Sequence, residues 1–227
     1  MQRWTGWLLI LWTLFVLYPN PAHLVRSIQR AWSPPADPEA VQYLAAALPN
    51  DPQLIEAAVT NTLVPYAVPW QTYGVPWYFP TVADVQARGA GDCQARAVVL
   101  ASILQAKGIP TRFVGSFDHL WVEYPGKHAT VAENAGVAIV AQSEAGAYQF
   151  QWPQLVDWRA SWAIERAYFW DPMPTGRRGL LVLGWVILLL PPILRRFSWP
   201  GWRPRVLDHP PRPLRIRADA ASQRRTR

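Results

Sequence analysis

Two uncharged apolar runs bracket the chain. Trp4 to Tyr18 (WTGWLLILWTLFVLY) is aromatic at both ends, and Gly179 to Leu194 (GLLVLGWVILLLPPIL) lies between Arg177-Arg178 and Arg195-Arg196. Each falls a little short of the ~20 residues that cross a bilayer, a gap that flanking Trp, Tyr and Arg can close. Between them the period changes. Helical spacing runs over about 38–48 and 52–63, after a linker from Ser33 to Pro38 and around the break at Pro49-Asn50-Asp51-Pro52. An irregular aromatic stretch follows (Trp70, Tyr73, Trp77, Tyr78, Phe79), interrupted by prolines. Thr81 and Asp84 have the spacing of a capping box and open a helix to about Arg88. Gly89-Ala90-Gly91 breaks it. Asp92 is placed to cap a helix from Cys93 to Lys107, which Gly108 ends. From Thr111 the period shortens to two and predicts strands at 112–116, 119–124, 129–133 and 137–140, the second and third joined by Pro125-Gly126-Lys127. A final helix over about 154–170 carries Leu155, Trp158, Trp162 and Phe169 on one stripe, for packing or for a membrane interface. N-terminal helices followed by an antiparallel sheet predict an α+β fold.

Composition agrees with one domain plus attachments: 227 residues, 51% apolar and 16% charged, too apolar for wholesale disorder. The net charge of +7 is unevenly spread. From Arg195 to Arg227 there are ten arginines against two aspartates, while the rest of the chain holds 12 basic and 13 acidic residues. Basicity confined to a Pro/Arg-rich tail argues against a nucleic-acid-binding domain, which carries its basic patch on folded structure. The tail instead reads as a topology signal beside anionic lipid. The expected organisation is an N-terminal transmembrane anchor (1–19), an extracytoplasmic domain (20–176), a second transmembrane helix (177–197) and a cytoplasmic tail (198–227). The first run has no small-x-small site after it, which favours an uncleaved anchor over a signal peptide. That organisation implies a multi-pass protein of the cell membrane with both termini in the cytoplasm, its lipid contacts made by two helices and the tail.

A single cysteine, Cys93, excludes an intramolecular disulfide framework and a cysteine-clustered zinc site, and four scattered histidines give no metal centre. No cofactor is expected. Cys93 is placed at the first turn of a helix, where unsatisfied N–H groups and the helix dipole favour a thiolate and can donate to an oxyanion. An imidazole partner is available in His119, and Glu133 or Asn134 can hold that ring in one tautomer across the predicted hairpin. Glu133 is preferred because it keeps a negative charge opposite the ring. Trp77 and Trp121 read as core or cleft residues whose indole N–H can assist an oxyanion. Asp92 reads as an N-cap, Arg96 and Arg112 as structural ion-pair partners, His128 as a surface residue, and His23 and His209 as solvated.

Three stretches in combination resemble the transglutaminase-like superfamily: Gly91-Asp92-Cys93-Gln94-Ala95-Arg96-Ala97, then Gly108-Ile109-Pro110-Thr111-Arg112, then His119-Leu120-Trp121-Val122-Glu123. The motif core spans 81–134. The resemblance implies a papain-like thiol fold with a Cys-His-Asp triad, Cys93 matching the nucleophile and His119 the base. The chain departs from that pattern in Ala129-Thr130-Val131-Ala132-Glu133-Asn134, which has neither the tryptophan nor the aspartate that family members carry. The resemblance implies acyl transfer or hydrolysis at an amide bond of a protein or peptide substrate. A catalytically degenerate module that binds or scaffolds at the membrane is the alternative, and a tail that tethers a cytoplasmic partner is a third. The charge distribution makes the topology testable. Reporters fused after Phe197 and within the central domain are expected to report opposite sides of the membrane; the same side for both contradicts two anchors.

Overall fold

The computed structural model describes residues 2–143, 146–154 and 157–197. The basic tail, with His209, and Leu155 lie outside the described residues. The helices are α1 (Gln2–Leu17), α2 (Pro21–Trp32), α3 (Gln42–Ala47), α4 (Pro52–Ala58), α5 (Pro69–Thr72), α6 (Val82–Arg88), α7 (Cys93–Ala106), α8 (Trp158–Glu165) and α9 (Thr175–Phe197). Four strands, β1 (Arg112–Gly115), β2 (Leu120–Glu123), β3 (Val140–Gln142) and β4 (Tyr148–Phe150), form one antiparallel sheet in the order β2-β1-β3-β4. The class is α+β.

The core is built around α7. From Ala97 to Leu104 every residue is buried, Ser102 included, whose hydroxyl bonds the Val98 carbonyl. A helix apolar on all faces must be enclosed on all faces. Phe113 and Val122 of the sheet cover one side, and Ile55, Val59, Val82 and Val85 cover the others. Both predicted caps form. Thr81 and Asp84 complete the capping box of α6, and Asp92 accepts from the Gln94 and Ala95 N–H groups at the start of α7. Gly91 precedes that start because a Cβ there would lie 2.2 Å from the Ala95 Cβ.

The sheet departs from expectation in one segment. Residues 129–133 form a turn rather than a strand: Thr130 accepts the Glu133 N–H on its hydroxyl, and the Asn134 amide bonds the Thr130 and Val131 carbonyls. Short polar side chains that bond nearby backbone compete with sheet pairing. β2 therefore pairs with β1 alone, the strand expected at 137–140 lies at 140–142 as β3, and β4 is an addition. α2 is another. Asn20 caps it, with Pro21 in its first turn, and it is fastened by Ser27 to the Phe79 N–H and by Arg30 to Asp84. The expected stripe on α8 divides: Phe169 meets Trp70 edge-on at 6.4 Å, while Trp158 and Trp162 are exposed.

Among the described residues no single helix is long and apolar enough to cross a membrane. Two bent pairs reach the length and composition together: Trp4–Leu17 with Pro21–Trp32, bent by 89°, and Trp158–Trp170 with Thr175–Leu190, bent by 106°. α1 and α9 pack on each other through two indoles. Trp12 donates to the Leu180 carbonyl at 3.1 Å and Trp185 to the Thr13 hydroxyl at 3.0 Å. Arg177 ties this pair to the domain by donating to the Gly74 carbonyl at 2.7 Å beneath the face of Trp70. The Trp12 ring fills the notch at Gly184, where a Cβ would sit 1.9 Å from its Nε1. Gly184→Ala is therefore expected to lower stability by about 1–3 kcal/mol through overpacking. Gly179→Ala, where a Cβ meets nothing within 4 Å, should leave it unchanged or raise it by up to about 1 kcal/mol. Thermal unfolding in detergent reads both.

Candidate active site

Cys93 lies at the first position of α7, between two cavities of about 480 and 410 Å³ whose shared wall includes His119, Leu120 and Tyr168. The surrounding helix and sheet leave the side chain some exposure, yet they desolvate the sulfur. That burial, then the Asp92 carboxylate, pushes the thiol up to about 12; the Leu120 and Gln94 N–H groups pull the other way without prevailing. At neutral pH Cys93 is thus a thiol. This corrects the expectation that the helix N-terminus favours a thiolate: burial of the sulfur, and then the adjacent carboxylate that caps the helix, oppose the dipole. Asp92 is buried, which raises its own pKa, and its second oxygen accepts from the Tyr168 hydroxyl.

His119 ends the turn between β1 and β2, where the Ser116 hydroxyl accepts its N–H and Ser116 N–H donates to its carbonyl at 2.8 Å. The ring stacks on Trp121 with centroids 5.9 Å apart and planes 14° apart. Its Nε2 meets Glu133 Oε1 at 2.8 Å. Burial pushes the Glu133 carboxyl up, but hydrogen bonds and charge from His119 and Lys127 outweigh it and hold its pKa below the ordinary 4.5. An ionised carboxylate only accepts, so Nε2 carries the hydrogen and a neutral ring leaves Nδ1 free. Among the described residues no hydrogen bond joins the ring to Cys93.

Glu133 reaches the ring from the turn at 130–133 and not from a paired strand, so strand register does not decide between it and Asn134. The Asn134 amide is spent inside its own loop, its oxygen accepting from the Gly136 N–H. Trp121 is buried on the wall of the larger cavity, but its indole N–H donates to Glu123 at 2.7 Å and is not available to an oxyanion. Trp77 lines the smaller cavity and packs on the core. Arg96 makes no ion pair among the described residues; it donates to the Val64 and Thr60 carbonyls and covers the Tyr66 ring at 5.1 Å. Arg112 makes none there either. Beside Cys93, the Gln94 side-chain oxygen is buried on the smaller cavity without a partner among the described residues.

Three residues of the site had no signal in the sequence. Tyr168, Glu56 and Lys127 are brought in by folding from 34 to 75 residues away from Cys93, and nothing in their local pattern marks them. Among the described residues no three His, Cys, Asp or Glu side chains cluster as metal ligands. No family model matches the chain, and no curated protein or solved structure matches it.

Glu133 contributes to the acid limb of stability. A carboxyl whose folded pKa is depressed contributes fully above its ordinary 4.5 and loses that contribution as pH falls through the folded value. Glu133→Gln is expected to be less stable than the native chain by about 1–3 kcal/mol at neutral pH, the difference closing below pH 4.5. Urea unfolding across that range checks it.

Proposed function

We propose that the protein is a membrane-anchored, transglutaminase-like thiol enzyme that transfers or hydrolyses an acyl group at an amide bond. The observation that carries this reading is His119 held through Nε2 by an ionised Glu133, beside a lone cysteine on the same two cavities. In the reaction the free Nδ1 takes the Cys93 proton as sulfur attacks the amide carbonyl carbon. The C–N bond breaks, the amine leaves with that proton, and a thioester remains. Water or a second amine then attacks the thioester carbon and returns the thiol. Glu133 stabilises positive charge on the ring between these steps. At the start of α7 the Gln94 and Ala95 N–H groups are held by Asp92, which leaves the Cys93 N–H to donate to the oxyanion. Gln94 offers the acceptor that an amide N–H of a peptide substrate completes. Apolar helices α1 and α9, packed together and flanked by arginines, support anchoring in the cell membrane with both termini in the cytoplasm and lipid contacts along the two helices.

A degenerate, non-catalytic module is favoured by one observation, the thiol pushed up to about 12 without a bond to the ring. The pH dependence of Cys93 alkylation separates the two. In the enzyme, iodoacetamide labels Cys93 at neutral pH, Cys93→Ser abolishes labelling, and His119→Ala slows it about a hundredfold. Labelling that begins only near pH 12 and ignores His119→Ala identifies the degenerate module.

A further inference from the structure

We propose that Lys127 is a positioning residue of this site: its buried ammonium fixes one oxygen of Glu133 so that the other faces the His119 ring. The inference rests on the thiol reading above. Lys127 belongs to the turn after β2, where Gly126 takes φ 81°. The Lys127 side chain is 4% exposed, and an ammonium so enclosed needs every hydrogen answered. Three acceptors answer: Glu133 Oε2 at 2.7 Å, Glu56 Oε1 at 2.8 Å and the Val122 carbonyl at 2.9 Å. Glu56, on α4, is itself anchored, its other oxygen accepting from the Tyr124 hydroxyl at 2.5 Å. The ammonium also lies 5.5 Å from the Tyr124 ring centre.

The groups around Glu133 are therefore His119 from the β1–β2 turn, Lys127 from its own loop, and Glu56 from α4, with Tyr124 and Asp51 behind them. Without the ammonium, Glu56 and Glu133 become two neighbouring carboxylates with no cation between them, and one takes a proton. A protonated Glu133 no longer stabilises an imidazolium, and an unheld one turns away from Nε2. Lys127 touches neither Cys93 nor the cavity that holds it, so its effect on the chemistry passes through Glu133.

The test uses the full chain in detergent, where Cys93 is the sole thiol. Thermal midpoint and the rate of Cys93 alkylation by iodoacetamide are measured from about pH 5 to 9 for native protein, Lys127→Met, Lys127→Arg, and Lys127→Met combined with Glu56→Gln. Lys127→Met should slow alkylation at neutral pH about tenfold and move its limb about one unit to higher pH. The double variant removes the facing carboxylates and should recover the thermal midpoint without recovering the limb. Lys127→Arg should keep the native limb. A folded Lys127→Met or double variant with the native limb overturns the inference and leaves Lys127 a fold-stabilising ion pair. His119→Ala run alongside keeps the two ideas apart: if it too leaves alkylation unchanged, the thiol reading fails; if it slows alkylation while the lysine variants do not, Lys127 alone is wrong.

Discussion

The enclosure of α7 is the constraint on which the rest of the molecule depends. A helix apolar on every face has no solvent side, so the sheet, α3, α4 and α6 must all be laid against it. Its N-terminus opens onto the two cavities, and that is where Cys93 stands. The same burial that fixes the helix also desolvates the sulfur. An N-cap carboxylate that stabilises the helix adds a negative charge beside the Cys93 sulfur. On the proposed reading the site is not activated by its own helix and needs an outside base, a role that falls to His119 at the turn between β1 and β2.

The second constraint is electrostatic. A histidine that is to take and return a proton must present one nitrogen and keep the other occupied. The carboxylate that occupies Nε2 is half-buried and would drift toward its neutral form were it not facing cations. Lys127, sealed beneath the loop, supplies a permanent one, and Glu56 and Tyr124 hold Lys127 in turn. The loop carrying Glu133 can then be irregular, because its functional atom is fixed by charge and not by strand pairing. Tyr168 ties the other flank: it joins the segment leading into α9 to Asp92 at the nucleophile's helix start.

What local patterns encode was legible in the sequence. The capping box at Thr81 and Asp84, the Asp92 cap, the break at Gly108 and the two strands after it lie in contiguous residues, and they form as expected. The pairing of His119 with Glu133 was also foreseen, though by a hairpin that does not exist. The segment 129–133 alternates like a strand, but Thr130 and Asn134 satisfy the backbone locally, a competition that periodicity does not register. α2 has a helix-start signal in Asn20-Pro21, but its amphipathic run follows directly on an apolar one, from which periodicity does not separate it. Tyr168, Glu56 and Lys127 were beyond reach. A buried lysine and a surface lysine look alike in a turn until folding brings two carboxylates from distant segments to it.

The central claim is that Glu133 fixes the His119 tautomer so that Nδ1 is the nitrogen available to Cys93. Nitrogen-15 NMR of protein with ring-labelled histidine, the His119 signals assigned by substitution, measures this directly at neutral pH. Where the ring is neutral, its hydrogen is expected on Nε2 with Nδ1 bare, and Glu133→Gln is expected to lose that preference. A ring with its hydrogen on Nδ1, or an even tautomer mixture that ignores Glu133→Gln, contradicts it.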